Sequence, residues 1–360
     1  MLQILNTTPF ASGLALLCDS TGADVVSVVV KGTFAIPSRG TEAPVADEQQ
    51  PVLYAAQHYG DPDSSSIKYP ADIVLGKVGT DIGLIGSAHA PGDKPVQKLP
   101  VSLSVGRFRK VIYVIGDRQW KPHLVPGVLA MSAPKPFVKM PLVHERAFGG
   151  KYEDQKKRSV VNFPNPVGAG FWPDRRSAEG RPLPNLEDPA HLIDSWKDRP
   201  PVACYGFVDG WWEPRRRFAG SYGDEWRKEH FPVLPRDFDL RFCNAGQEGL
   251  VADGFLEGGE PVEFVNLSQR GHIRFALPKL RIGMTFRLGD SDHRVETALW
   301  TVVFEPDADR FCMVWGASFR IGKQPSRMKC VRVEIEEGAL VAAPTSPLAT
   351  SPAKQLAARR

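Results

Sequence analysis

Cysteine is scarce in this chain: five in 360 residues, Cys18, Cys204, Cys243, Cys312 and Cys330, far apart and never as a C-x-x-C pair. That spacing implies neither a disulfide framework nor a zinc-binding ribbon. Long apolar runs are missing as well. No stretch approaches the roughly 18 apolar residues of a membrane-spanning helix, and the opening MLQILNTTPFASGLALLCDS has no basic segment ahead of a sustained apolar one. A cytoplasmic protein without membrane insertion is expected. An excess of one charge is also lacking. The formal net charge is +4, from 45 basic and 41 acidic residues. The stretch Gly338 to Arg360 carries Lys354, Arg359 and Arg360 and no acid, which leaves 42 basic against 41 acidic elsewhere. A nucleic-acid partner is therefore not expected, because phosphate neutralisation needs a concentrated basic face. The local runs KYEDQKKR (Lys151 to Arg158) and EPRRRF (Glu213 to Phe218) read as solvated loops.

Signatures of catalysis are absent from the sequence too. There is no G-x-S-x-G, no H-E-x-x-H and no P-loop, and Gly168-Ala169-Gly170 lacks the third glycine of a dinucleotide fingerprint. The eight histidines are dispersed. No cofactor, no metal site and no assembled catalytic residues are expected.

What the chain does have is strand pattern at both ends. ALLCD, VVSVVVKGTFAI (Val25 to Ile36) and VSLSVGRFRKVIYVIG (Val101 to Gly116) carry β-branched residues between turn formers; EPVEFVNL, HIRFALPKLRIGMTFRLG, VETALWTVVFE, RFCMVWGASFRI and CVRVEIEE repeat that texture near the C-terminus. Glu296 to Glu305, the turn PDADR and FCMVWG predict a β-hairpin. The middle differs. Sixteen of the 32 prolines lie between Pro122 and Pro235, and five of the eight tryptophans between Trp172 and Trp226, so long loops pinned by rings are expected there. The spacing in PAHLIDSWKD (Pro189 to Asp198) predicts one short helix. The expected fold is mainly β: a single large sandwich or partly open barrel with long irregular Pro/Trp-rich loops and few short helices. It is strand-rich over 1–120, loop-rich over 121–250 and strand-rich over 251–337, with a flexible tail at 338–360.

Two segments hold the candidate functional residues. In MPLVHERAFGG (Met140 to Gly150), His144, Glu145 and Arg146 sit beside Phe148, Gly149 and Gly150. If this run is extended, His144 and Arg146 share a face that Glu145 does not, which separates an acid/base pair. The charges then read as loop anchors, and the glycines permit a positive-φ turn. In GFVDGWWEPRRRFAGSYGDEWRKEHFPVLPRDFD (Gly206 to Asp239), Trp211, Trp212, Arg215, Tyr222 and Trp226 offer either a protein-binding surface or rings that pack a loop on a core, while Asp237 and Asp239 brace a turn. Two alternatives follow from the same residues. A hydrolase acting on glycans or peptides needs His144, Glu145, Asp237 and Asp239 to converge on one point; a carbohydrate-binding module needs Trp211, Trp212 and Trp226 exposed and coplanar.

NTTPF (Asn6 to Phe10), VVVKGTF (Val28 to Phe34), KMPLVHERAFGG (Lys139 to Gly150), NPVGAGF (Asn165 to Phe171), LPNLE (Leu183 to Glu187), EPRRRFAGSYGDEW (Glu213 to Trp226) and FPVLPRDFD (Phe231 to Asp239) resemble, in order, the motifs of a bacterial uncharacterised-domain family associated with type VI secretion. The resemblance implies a cytoplasmic adaptor or chaperone, not an enzyme. Its implied partners are an effector bearing a PAAR-like domain and the VgrG spike onto which that effector is loaded. One stretch departs from the pattern: RFCNAGQEGLV (Arg241 to Val251) has Gly246-Gln247-Glu248 where a proline and an acidic-amide pair are expected.

Overall fold

The structure, a computed structural model, describes residues 2–125, 127–154, 159–323, 325–338 and 340. Most of the tail expected over 338–360, and 155–158 of the KYEDQKKR run, lie outside them. The fold is mainly β and sandwich-like. A five-stranded sheet runs in the order Ala11–Cys18, Asp24–Ala35, Arg310–Gly322, Ala298–Glu305, Asp81–Leu84. Its last pair is parallel and the others antiparallel. A second five-stranded sheet is ordered Leu186–Glu187, Phe108–Ile115, Lys98–Val105, Pro261–Val265, His272–Ala276; a four-stranded sheet is ordered Gln3–Asn6, Met328–Glu337, Arg281–Leu288, Ser291–Val295. None of the described sheets closes into a barrel. Strands from opposite ends of the chain are neighbours: Gln3–Asn6 pairs in parallel with Met328–Glu337, and Asp24–Ala35 lies antiparallel to Arg310–Gly322.

Alternation explains how the sheets share one core. Val26, Val28 and Val30 face the same side and join Val101, Leu103, Ile112, Phe264, Ile282, Met284, Val331 and Val333. Val29 faces the other side and is covered by Ile73, Trp300 and Val314. The Asp24–Ala35 strand is thus buried on both faces, which accounts for its nearly unbroken apolar run. Rings hold the centre together. Phe264, Phe304, Phe311 and Phe34 form a chain with centroids 5.2, 5.7 and 5.4 Å apart, at tilted, edge or offset angles that add about 0.5–1.5 kcal/mol per pair beyond the area buried. The hairpin expected over 296–316 forms, between Ala298–Glu305 and Arg310–Gly322, with Asp309 at φ 49° in its turn.

The middle third is attached through buried polar groups. Asp81 has no exposure; it accepts from Lys77 Nζ at 2.5 Å, Asn244 Nδ2 at 2.9 Å and the Ala245 N–H at 2.8 Å. The Lys77 ammonium also donates to Thr301 Oγ1 at 2.8 Å. Arg118 pairs with Glu187, and Lys31 with Asp72 at 2.9 Å, likewise inside the protein. The three short α-helices described are Arg175–Ala178, Glu213–Arg216 and Asp224–Glu229. The helix expected at Pro189 to Asp198 is not one of them. That segment is a series of turns in which the Asp198 carboxylate accepts from the N–H groups of Asp194 and Ser195, and Glu187 accepts from that of Ile193. Side chains there take the backbone donors that a helix would have used. Ile193 is buried beside Trp120, Phe148 and Leu183, with Trp196 packed against them.

Replacing Asp81 by alanine leaves Lys77 charged and buried without its partner, a loss of about 3–5 kcal/mol. Urea unfolding measures it; a decrease below about 1 kcal/mol would show that the insert is held by other contacts.

Candidate functional site

The MPLVHERAFGG segment enters along strand Lys139–Pro141, paired with Ser87–His89, and leaves along Phe148–Gly149, paired with Ala169–Gly170. Between them the chain is not extended. His144–Arg146 is a single turn of 3-10 helix, closed by the Ala147 N–H on the His144 carbonyl at 3.1 Å. A tertiary clamp imposes it. Asn165, fully buried, donates through Nδ2 to the carbonyls of His144 at 2.8 Å and Phe148 at 3.1 Å, and its own carbonyl accepts from the Gly150 N–H. A Cβ on Gly149 would lie 2.1 Å from the Asn165 carbonyl oxygen, and Gly150 has φ 120°. Both positions therefore need glycine.

The turn points its three polar side chains to different places. Glu145 is the acceptor for Ser66, taking the N–H at 2.7 Å and the hydroxyl at 2.9 Å. Arg146 donates to Asn185 Oδ1 at 2.8 Å and lies 3.6 Å from the Asp117 carboxylate. His144 is buried, with the Trp212 ring edge-on at 5.0 Å and the Cys204 thiol beside it. Phe148 packs into the small core with Trp120 and Leu183. Ser66, Asn165, Asn185 and Cys204, all essential to this arrangement, have no local sequence signal; only the NPVGAGF and LPNLE motifs contain two of them.

The second segment splits into buried and exposed rings. Trp212 is buried against His144, whereas its neighbour Trp211 is 72% exposed, its N–H donating to Asp209 at 2.9 Å. The Glu213 N–H donates to the Phe163 carbonyl, which puts Phe163, itself exposed, alongside. Arg215 turns inward: Nη1 donates to the Val208 carbonyl at 2.7 Å, and Nε and Nη2 to that of Phe242 at 3.1 and 2.8 Å. Trp226 is sandwiched edge-on between Tyr222 at 4.7 Å and Phe231 at 5.5 Å, while its indole N–H donates to Val233. The three tryptophans named for a sugar platform thus occupy different environments, one of them buried.

Asp237 accepts from the N–H and hydroxyl of Ser221, and these bonds hold its carboxyl below the ordinary value. Arg241 does the same for Asp239. Among the described residues no hydrogen bond or ion pair joins His144, Glu145, Asp237 and Asp239, and carboxylates held ionised are poor proton donors. The departing stretch Arg241 to Val251 is mostly interior: Asn244 and Ala245 bind Asp81, and Gln247 is buried with Nε2 donating to the Val202 carbonyl. No described helix is long and apolar enough to cross a membrane.

A family model described as "Uncharacterized protein conserved in bacteria (DUF2169)" matches residues 21–316. The chain belongs to the DUF2169 family. That span takes in both segments of the site and most strands of the three sheets. Comparison with curated proteins and with solved structures gave no match.

In this DUF2169 member the two charges of the turn differ in what their loss leaves behind. Glu145→Ala strips the only described acceptor from the N–H and hydroxyl of Ser66, which is buried, and costs about 1–3 kcal/mol. Arg146 is a third exposed, so Arg146→Ala costs less than about 1 kcal/mol. Thermal and urea melts of the two variants rank them; an Arg146 variant as unstable as the Glu145 variant would contradict this assignment.

Proposed function

We propose that this chain is a cytoplasmic adaptor, or chaperone, that holds an apolar segment of a secreted effector bearing a PAAR-like domain and hands it to the VgrG spike of a type VI secretion apparatus. One observation carries the protein-binding part: most of the exposed large apolar side chains described lie on the loop-rich middle third. Leu124 is 99% exposed at the tip of the hairpin between Trp120–Pro122 and Leu129–Met131; Trp211, Phe231 and Phe163 are exposed at 72%, 67% and 54%. Large apolar side chains left exposed on one region of the chain are the kind of group that recognition surfaces use. Their backbones are already fixed, Trp211 by Asp209 and Phe231 through its N–H to the Trp226 carbonyl. Rings on ordered backbone lose little entropy when a partner covers them, and tryptophan is the commonest hot-spot residue. The effector and the spike are what the resemblance of the ordered motifs implies, and such holding requires no nucleotide.

Co-expression with a PAAR-like effector tests it. The effector is expected to stay soluble and to co-purify with the wild-type chain, and to do neither with a Trp211→Asp, Phe231→Asp double variant whose melting is unchanged. An effector equally soluble and equally loaded on the spike without this protein would refute the proposal.

A further inference from the structure

Three thiols are deeply buried and each has a cation near it, Lys77 and Arg215 for Cys243, Lys31 for Cys312, and His144 and Lys110 for Cys204, but only Cys204 lies against an imidazole. Cys243 and Cys312 are pushed up by burial. Cys204 has no exposure, yet its surroundings are those of an anion. The Gly206 N–H donates to its sulfur at 3.3 Å, and the imidazole of His144 lies against it. A Cβ on Gly206 would come within 3.2 Å of the imidazole Cδ2 and 3.4 Å of the sulfur, so the glycine is what lets ring, sulfur and N–H meet. Neither ring nitrogen of His144 has a described hydrogen-bond partner, although the ring is 1% exposed and the Cys204 sulfur is its neighbour. A buried imidazole with nothing else to bond is stabilised by a neighbouring thiolate, and the thiolate by the imidazolium. The charged groups facing the pair are Lys110, which favours the thiolate, and Glu145, which favours the imidazolium; Tyr59 approaches from the hairpin above. Burial opposes charge on both members, and their mutual attraction, followed by Gly206 and then Lys110 and Glu145, outweighs it: the thiol is lowered and the imidazole raised. In the competing neutral state the thiol would donate to the Leu142 carbonyl, 3.8 Å away.

We propose that Cys204 and His144 form a sequestered thiolate–imidazolium site, the chain's reactive thiol toward small soft electrophiles, and that the hairpin spanning 57–69 is the strap that closes it. The strap is fastened on both sides of the pair. Its Ser66 bonds Glu145 next to His144, its His58 lies 3.2 Å from Asp209, and its Ile67 packs with Phe207, three residues from Cys204. This inference stands independently of the partner-binding reading.

The test uses the full chain with Cys18 and Cys330, the less buried thiols, replaced by serine. Thiolate absorbance near 240 nm is expected at pH 7, lost in Cys204→Ser, and in His144→Gln to appear only near or above the ordinary thiol value of 9.0. Absence of any Cys204-dependent absorbance at pH 7 overturns the ion pair. Iodoacetamide, whose carbon the sulfur attacks as iodide departs with the bonding electrons, reads the strap by peptide mass. The His58→Ala, Ser66→Ala double variant is expected to alkylate Cys204 at least about tenfold faster than the parent while Cys243 and Cys312 stay unmodified. An unchanged rate, or all three thiols reacting together, overturns the strap.

Discussion

Asp81 is a carboxylate with no access to water, and the arrangement of the middle third depends on it. One anion in the interior is tolerated only when its oxygens are saturated, and here an ammonium, an amide side chain and a backbone N–H do so. Two of those donors, Asn244 and Ala245, belong to the loop that returns from the aromatic segment. The carboxylate itself stands at the start of the parallel strand at the edge of the main sheet. The requirement that this charge be paired therefore fixes the loop-rich insert against the strand scaffold.

The same logic recurs through the insert. Loops carry as many backbone donors and acceptors as strands do, and without a ladder these must be met by side chains. Asn165 serves the carbonyls of the His144 turn, Asn185 those of Ile115 and the guanidinium of Arg146, and Arg215 those of Val208 and Phe242. Much of the conspicuous polarity of the segment is used inside it. Among the groups left facing out are large apolar ones: Leu124, Trp211, Phe231 and Phe163. A surface of this kind suits another polypeptide, with polar braces holding rings in position from below. The buried His144 ring beside Cys204 is the exception, since neither of its nitrogens braces any described backbone group.

Strands were legible in the sequence because their signal is local. β-Branched residues at period two marked the sheets, the turn PDADR placed the hairpin after Glu305, and the density of proline and tryptophan marked the irregular third. The glycines after Phe148 announced unusual backbone. The PAHLIDSWKD segment shows where such reading ends: its apolar spacing suits a helix, and carboxylates from Glu187 and Asp198 claim the donors instead.

The sequence by itself determined a mainly β chain with an aromatic, loop-rich middle and none of the familiar catalytic signatures, because side-chain alternation, turn chemistry and motif spacing are properties of neighbours along the chain. The tertiary structure alone decided that HER is a turn and not a strand, that Trp212 is buried while Trp211 is not, and that Cys204 meets His144. Those outcomes rest on partners such as Ser66 for Glu145 and Asn244 for Asp81, 79 and 163 residues apart. Contacts over such separations follow from how the sheets and loops pack, and no local pattern encodes them.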